Sequence, residues 1–186
     1  MNPTSWKTKN RGNLRPPFRI RALDPSDDRT LFFCGSTLLD RYFQQQVTQD
    51  IRRRVTACFV ALTDENRIAG FYTLATASVL LTDLPTNITK KLPRYPSVPA
   101  VRMGRLAMDQ AFKGIGVGGA LLADALDRSS RSEITAFAVV VDAKDEESVR
   151  FYLHHGFVLL PNTSMTLFLP FKSIQLDQPV GNNPTP

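Results

Sequence analysis

The sequence predicts an α/β fold built on a mixed sheet, and two observations carry this prediction. Short apolar runs typical of strands alternate with segments of helical periodicity, in the order strand, helix, two strands, and then strand–helix–strand–helix–strand. A glycine-rich stretch, residues 110–119, joins a middle strand directly to a run of strong helix formers. With 186 residues and 42% apolar side chains, the chain suits one domain with a sizeable core.

The first third of the chain predicts one strand and one long helix. The run FRIRAL, residues 18–23, reads as the strand. Beyond Ser36, a plausible N-cap, apolar residues recur at helical spacing as far as Ile51. The helix closes at its negative end on three arginines, Arg52, Arg53 and Arg54. The helix dipole explains cations there, but three exceed what a cap requires.

The remaining two thirds predict most of the sheet. The predicted strands are 57–63, 67–81, 101–108, 135–143, 158–160 and 165–169. The predicted helices are 118–130 and 148–157, the second ended by Gly156 in a left-handed conformation. The continuous apolar run in 135–143 suits a strand buried on both faces. The proline-rich connector 84–99 is expected to be irregular and to carry substrate contacts.

The two ends of the chain are expected to be flexible. Residues 1–17 form a polar, basic arm and residues 172–186 a tail, which leaves 18–171 as the folded domain. No run of 18 apolar residues and no signal peptide occur, so we expect a cytoplasmic protein without a membrane span. Cys34 and Cys58 lack metal-ligand spacing, so we expect reduced thiols and no metal.

The charge is unevenly distributed along the chain. The net charge is +6, and residues 1–54 hold 11 Lys and Arg against 5 Asp and Glu, while residues 55–186 hold 12 of each. Residues 1–21 alone carry six basic residues and no acidic one. Two interpretations remain open: a solvated basic arm, or attraction to a polyanion, of which RNA is the obvious candidate.

The glycine stretch predicts a phosphate site. It contains no GKS or GKT, and it does not follow the first strand of a repeated strand–helix unit, so neither a nucleoside-triphosphate loop nor a dinucleotide fingerprint fits. What remains is a loop whose amides, residues 115–119, lie at a helix N-terminus. Such amides bind a pyrophosphate, which bulky side chains would obstruct.

Two motifs in this order resemble those of the GNAT N-acetyltransferases. Residues 113–118, KGIGVG, resemble the acyl-CoA loop Q/R-x-x-G-x-G/A, with lysine in place of Gln or Arg. Residues 145–157, DEESVRFYLHHGF, are similar to the later family motif in which a short helix carries FY and ends in GF. The resemblance implies a mostly antiparallel sheet with a splayed middle strand, and acetyl-CoA as co-substrate.

A narrower resemblance covers residues 18–170. The segments 32–43, 70–81 and 104–109 are similar to the GNAT toxins of bacterial type II toxin–antitoxin pairs, the TacT/AtaT-like group. This likeness implies acetylation of the amino group of aminoacyl-tRNA, which blocks translation. It also implies a ribbon-helix-helix antitoxin as partner and a homodimer.

The GNAT resemblance assigns roles to individual residues. Tyr152 matches the tyrosine that protonates the departing thiolate, and a phenol of pKa about 10 is protonated at neutral pH. By position, the acyl-CoA contacts would be Leu106, Ala107, Met108, Lys113, Gly114, Ile115, Gly116, Val117, Gly118, Gly119 and Asp145. The histidines at 154 and 155 are expected to be structural.

The middle strand lacks a general base. Arginines stand where many GNAT enzymes place a glutamate, and the nearest acid is Asp109 at the end of the strand. A lysine acceptor needs a base, whereas an α-amino group with a pKa of about 7.7–8.0 needs less help. The predicted tRNA contacts are Arg102, Arg105, Arg52, Arg53, Arg54, Lys90, Lys91 and Arg94. For Arg102 an ion pair is the other interpretation.

Two other functions stay open at this point. One is a GNAT enzyme that acetylates a protein or a small amine, and the other is an acyl-CoA-binding protein without catalysis. The second is disfavoured because the loop and Tyr152 are both intact. The sequence does not say which aminoacyl-tRNA is chosen.

Overall fold

One seven-stranded sheet runs through the protein, in a computed structural model that describes residues 18–171. The strands are β1 Arg19–Ala22, β2 Ala57–Leu62, β3 Ile68–Leu80, β4 Ser97–Met108, β5 Ala138–Asp142, β6 Val158–Leu159 and β7 Thr166–Pro170. Their order across the sheet is β1-β2-β3-β4-β5-β7-β6. Only β4 and β5 are parallel neighbours, so the mixed, mostly antiparallel sheet is confirmed.

Helices cover both faces of this sheet. They are α1 Thr37–Arg41, a π-helical segment Tyr42–Gln46, α2 Val47–Arg52, α3 Thr86–Thr89, α4 Val117–Ser130 and α5 Glu146–His154. Single 3-10 turns occupy Leu81–Asp83 and Gln110–Phe112. Gly156 ends α5 with a φ of 87°, as predicted.

The middle of the sheet opens into a fork between β4 and β5. Their parallel pairing runs from Ala100 opposite Ala138 to Met103 opposite Val141 and then stops. Strand β4 nevertheless continues to Met108, still paired with β3. The splayed middle strand is therefore confirmed, and the last five residues of β4 border the gap.

A β-bulge at Gly104 accompanies the fork. Thr73 of β3 pairs with Arg105 and Leu74 pairs with Met103, so Gly104 is an extra residue on β4. Because side chains alternate along a strand, this insertion brings Arg102 and Arg105 to the same face of the sheet although they are three positions apart.

Each face of the sheet has its own core. The face that we call the α4 face packs Tyr72 of β3 and Tyr152 of α5 against Leu121 of α4. The opposite face, the α1 face, carries Phe43 and Phe71 beneath the first helices. A third cluster, around Val79, Val140 and Phe168, lies on the same face as Phe71, and the connector covers it. From Phe71 onward the residues of β3 alternate, so Phe71 and Val79 point to one face and Tyr72 to the other.

The first helix differs in detail from the prediction. It is continuous from Thr37 to Arg52 but includes the π-helical segment. Ser36 is the N-cap residue, yet its side chain makes no cap hydrogen bond. The buried Asp40 instead accepts a hydrogen bond of 2.7 Å from the Cys34 amide, which ties the preceding loop to the helix.

The proline-rich connector is more regular than predicted. It contains a 3-10 turn and α3, and β4 already begins at Ser97. Pro99 lies within the strand, where the ladder with β5 starts only at the next residue, Ala100. A proline is tolerated because it has no amide to contribute before that point.

Some predictions fall outside the described residues. The arm 1–17 and the tail 172–186 lie there. Within residues 18–171, none of the helices is long and apolar enough to cross a membrane.

Candidate active site

A cavity of about 170 Å³ lies in the fork of the sheet. The predicted site residues that line it are Leu106, Ala107, Met108, Lys113, Asp145 and Tyr152. Cys34 and Leu39, from the first helix and the loop before it, line the same cavity. Since Leu39 packs with the core of the α1 face and Tyr152 belongs to the α4 face, the cavity reaches both sides of the sheet through the fork.

Tyr152 sits at the point where the two strands part. Its hydroxyl donates to the Sδ atom of Met103 at 3.9 Å, and Met103 is the last residue of β4 that pairs with β5. The ring packs against Phe151 and Phe157 and is 7% exposed. Burial raises the pKa of Tyr152 to about 12, so the phenol stays protonated at neutral pH. Tyr152 therefore lines the cavity in the protonated form that a general acid requires.

The glycine loop leads from the end of β4 into α4. Gly114 and Gly116 have φ angles of 79° and 89°, which glycine adopts without strain. Helix α4 begins at Val117, and its first backbone hydrogen bond runs from the Ala120 amide to the Gly116 carbonyl. The amides before Ala120 have no partner within the helix, and amides in this position can bind an anion.

Not all residues of the glycine loop line the fork cavity. Lys113 lines it, whereas Ile115 and Gly116 line a separate cleft beside β1. Gly118 packs so closely that a Cβ atom would lie 2.5 Å from the Sδ atom of Met108. This glycine is needed for helix–strand packing as well as for an open loop.

Asp145 caps the helix that carries Tyr152. Its Oδ1 accepts from the amide and the hydroxyl of Ser148, at 2.8 and 2.6 Å. These hydrogen bonds hold the pKa of Asp145 below its usual range, and Lys144 adds an ion pair of 3.5 Å. Asp145 thus positions α5 against the cavity, and its carboxylate is a poor base.

Asp109 is not available as a base either. Its carboxylate accepts from the Phe33 amide at 3.1 Å and from the Ala111 amide at 2.9 Å, and it pairs with Arg67 at 3.3 Å. The residue is 3% exposed. Asp109 therefore fastens the loop before α1 to the end of β4.

The predicted RNA-binding residues belong to elements of the α1 face. We call this surface the basic face; it comprises Arg52, Arg53, Arg54, Lys90, Lys91, Arg94, Arg102 and Arg105. The three arginines end α2, and the next three cations lie on the connector; all six are exposed. Arg54 lines a surface cleft with Ala75, which pairs directly with Arg102. Arg54 therefore lies close to the part of the β3–β4 pair that carries Arg102.

The two arginines of β4 differ in their partners. Arg102 forms an ion pair with Asp142 of β5, the alternative foreseen from the sequence. Arg105 lies over the ring of Tyr42, with 3.5 Å between its Cζ atom and the ring centroid. Among residues 18–171, Arg105 has no acidic partner.

Sequence reasoning missed several residues of the cavity. They are Cys34, Leu39, Lys144, Glu147, Ser148 and Phe151. Lys144, Glu147 and Ser148 flank the predicted Asp145, so the start of α5 was the signal that could have found them. Nothing local indicated Cys34 or Leu39, because the tertiary fold alone brings their loop to the fork.

The structure describes both cysteines and the side chains that could bind a metal. Cys34 and Cys58 are both free thiols. Burial raises the pKa of Cys34 to about 11 and that of Cys58 to about 12, so both remain protonated. In the part of the chain that the structure describes, no group of three or more His, Cys, Asp or Glu could hold a metal.

Comparison with known families gives a clear result. The model of the acetyltransferase (GNAT) domain matches residues 24–166. The chain belongs to the GNAT acetyltransferase family. The GNAT match spans the fork, the glycine loop and α5, which are the elements that form the cavity.

The names of two relatives of this GNAT chain refer to acetylated tRNA. A tRNA-acetylating toxin of Mycobacterium tuberculosis (strain H37Rv) is 33% identical over 154 residues, which are 82% of this chain and 91% of that protein. The solved structure of AtaT complexed with acetyl-methionyl-tRNAfMet is 29% identical with a TM-score of 0.80, and it covers 86% of this chain and 98% of AtaT.

AtaT has also been solved in other complexes. AtaTR bound with AcCoA aligns with a TM-score of 0.74 and 28% identity, over 86% of this chain and 97% of that one. A tyrosine-to-phenylalanine mutant of AtaT, bound to the C-terminus of the antitoxin AtaR, aligns with a TM-score of 0.73 and 25% identity, over 87% of this chain and 98% of that one.

Proposed function

We propose that this protein is the toxin of a type II toxin–antitoxin pair, and that it transfers an acetyl group from acetyl-CoA to the amino group of aminoacyl-tRNA. The observation that carries the proposal is the fork cavity, which is lined by the residues predicted to bind acyl-CoA and reaches the α1 face, to which the basic face belongs. The M. tuberculosis relative and the AtaT complex with acetylated tRNA support the same acceptor.

Acetyl-CoA enters from the side of the glycine loop. The amides of residues 115–119 and the ammonium group of Lys113 bind the pyrophosphate, since both the helix dipole and the lysine favour an anion there. The backbone of Leu106, Ala107 and Met108 holds the pantetheine and the acetyl group, because β4 has lost its partner on that side. The thioester carbonyl then lies within the fork.

Transfer requires an attacking amine and an acid for the leaving group. The α-amino group of the aminoacyl ester attacks the thioester carbonyl, and the C–S bond breaks as the tetrahedral intermediate collapses. Tyr152 gives its proton to the departing thiolate. An ester on the carboxyl group lowers the pKa of the α-amine below about 7.7–8.0, so a substantial fraction is neutral at pH 7 and no protein carboxylate has to deprotonate it.

The basic face recruits the RNA. Its exposed cations attract phosphates, and the six basic residues among positions 1–21 add to this attraction. Attraction of this kind is independent of sequence, so it brings charged tRNA to the fork without selecting the amino acid. Selection therefore belongs to the cavity.

The same proposal extends to partners and place of action. A ribbon-helix-helix antitoxin restrains the toxin, a homodimer is the expected assembly, and the reaction takes place in the cytoplasm, where charged tRNA is found. The AtaT complex with the antitoxin AtaR supports an antitoxin partner. Sedimentation of the purified chain, alone and with the product of the neighbouring gene, measures both assemblies.

The decisive experiment identifies the labelled product. Purified protein is incubated with labelled acetyl-CoA, total charged tRNA and total protein, and the product is digested with nuclease for mass spectrometry. We expect N-acetyl-aminoacyl-adenosine. Label on protein lysines, with charged tRNA unmodified at low salt, would overturn the proposal in favour of a protein acetyltransferase.

A further inference from the structure

The guanidinium group of Arg105 is held in an unusual way. Its Cζ atom lies 3.5 Å from the centroid of the Tyr42 ring. Among residues 18–171, its side chain has no ion pair, in contrast to Arg102, which Asp142 neutralises. Arg105 directly precedes Leu106, the first residue of β4 that lines the fork cavity. Its charge, which no ion pair within residues 18–171 neutralises, lies on the α1 face, two positions before Ala107, which lines the cavity from that same face.

Tyr42 is fixed as a platform for this charge. It is 4% exposed and is the first residue of the π-helical segment, three positions after the cavity residue Leu39. Its hydroxyl is buried, and within the described part of the chain it has no hydrogen-bond partner. Burial, with a smaller effect of the nearby Asp50, raises the pKa of Tyr42 to about 12, and the face of the ring is the part that contacts Arg105. A π-helical turn changes the direction of the following side chains and is frequent at functional sites.

We propose that Tyr42 is a positioning residue that holds Arg105 over the entrance of the fork, so that the guanidinium N–H groups bind the last phosphodiester of the RNA acceptor. The inference rests on the proposed function and names the group that Arg105 recognises. An aromatic face restrains an arginine through the plane of its guanidinium and leaves the N–H edge free. That edge matches the two oxygens of a phosphate.

The test compares two acceptors and a set of variants. One acceptor is charged tRNA, and the other is aminoacyl-adenosine, which has the same reactive ester but no phosphodiester. We expect Tyr42→Leu to raise KM for charged tRNA by roughly 3- to 30-fold, with kcat and acetyl-CoA affinity nearly unchanged. Activity on aminoacyl-adenosine should not change. Tyr42→Phe should behave as wild type, because it keeps the ring.

A double variant tests whether the two residues act together. Tyr42→Leu combined with Arg105→Ala should have the KM of Arg105→Ala alone, because the platform has no role without its arginine. If Tyr42→Leu does not fold, Arg105→Lys keeps the charge but not the planar group, and it should raise KM for charged tRNA only.

Several outcomes would overturn the inference. Two of them concern the single variant Tyr42→Leu: an equal loss of activity on aminoacyl-adenosine, or a loss of acetyl-CoA affinity. The other two are a Tyr42→Phe variant as impaired as Tyr42→Leu, and additive effects on KM in the double variant. If the wild type is active on charged tRNA and neither Tyr42→Leu nor Arg105→Lys changes that activity, only this inference is overturned. A wild-type protein inactive on charged tRNA would overturn the proposed function as well.

Discussion

At the scale of single residues, Tyr152 carries the chemistry of the proposed reaction. Phenylalanine fits the same pocket, because the hydroxyl bonds only to the weak acceptor Sδ of Met103. We expect Tyr152→Phe to lower kcat by roughly 10²- to 10⁴-fold, as loss of a general acid does, with acetyl-CoA affinity unchanged by calorimetry. Thermal unfolding is the control for folding. Normal turnover would show that the phenol only packs.

The protonation of Tyr152 predicts the shape of the pH profile. An acid works below its pKa, and burial raises this pKa to about 12, so the acid form persists through the alkaline range. Single-turnover rates on charged tRNA should rise as the amine loses its proton and then stay level to about pH 9.5. A fall that starts near pH 9 in wild type, but not in Tyr152→Phe, would mean an ordinary phenol pKa.

At the scale of elements, the glycine loop and the start of α4 are predicted to bind the pyrophosphate. Gly116 has open space around it, since nothing lies within 4 Å of a Cβ added there. Gly116→Asp should therefore abolish acetyl-CoA binding through repulsion of the phosphates. Gly116→Asn is the matched control, because asparagine has the same size and also tolerates a positive φ. Calorimetry should detect acetyl-CoA binding by Gly116→Asn but not by Gly116→Asp. An equal loss of binding in both variants would indicate backbone strain instead.

A second element-scale prediction concerns the attachment of the first helix to β4. Removal of the Asp109 carboxylate leaves the Phe33 and Ala111 amides and Arg67 without their acceptor. Asp109→Ala should lower the free energy of unfolding by about 2–4 kcal/mol, measured in urea. The exposed turn residue Asp64 provides the control Asp64→Ala. If Asp109→Ala kept full stability and lost turnover, Asp109 would be a catalytic base after all.

At the scale of the whole molecule, the basic face is expected to bind RNA as a surface. Replacing Arg52, Arg53 and Arg54 with alanine should raise KM for charged tRNA more than it changes kcat, and should lower the slope of log KM against log salt by up to about three. Replacing Arg131 and Arg150, beside α4 and on α5, is the control for charge removed from the α4 face; both residues are exposed, and each pairs with an acidic residue. The same change in KM and in the salt slope in both sets of arginine variants would show only an effect of net charge.

The sequence by itself determined the elements and the family of this protein. Strands such as 57–62 and helices such as α4 follow from local periodicity, which neighbouring residues establish without tertiary contacts. The glycine loop and the FY pair are also contiguous in the chain, so they could be recognised directly. The regular segments within the connector and the missing side-chain hydrogen bond at the N-cap Ser36 were not predicted, because packing outweighs weak local preferences there.

Only the tertiary structure decided which residues meet at the site. Arg102 and Arg105 share a face because Gly104 forms a bulge against β3, and bulges leave little trace in a single sequence. The pairing of Arg102 with Asp142, the platform at Tyr42 and the approach of Cys34 to the fork all join segments distant in the chain. Such contacts depend on strand order and register, which are set by the packing of the whole sheet and not by local periodicity.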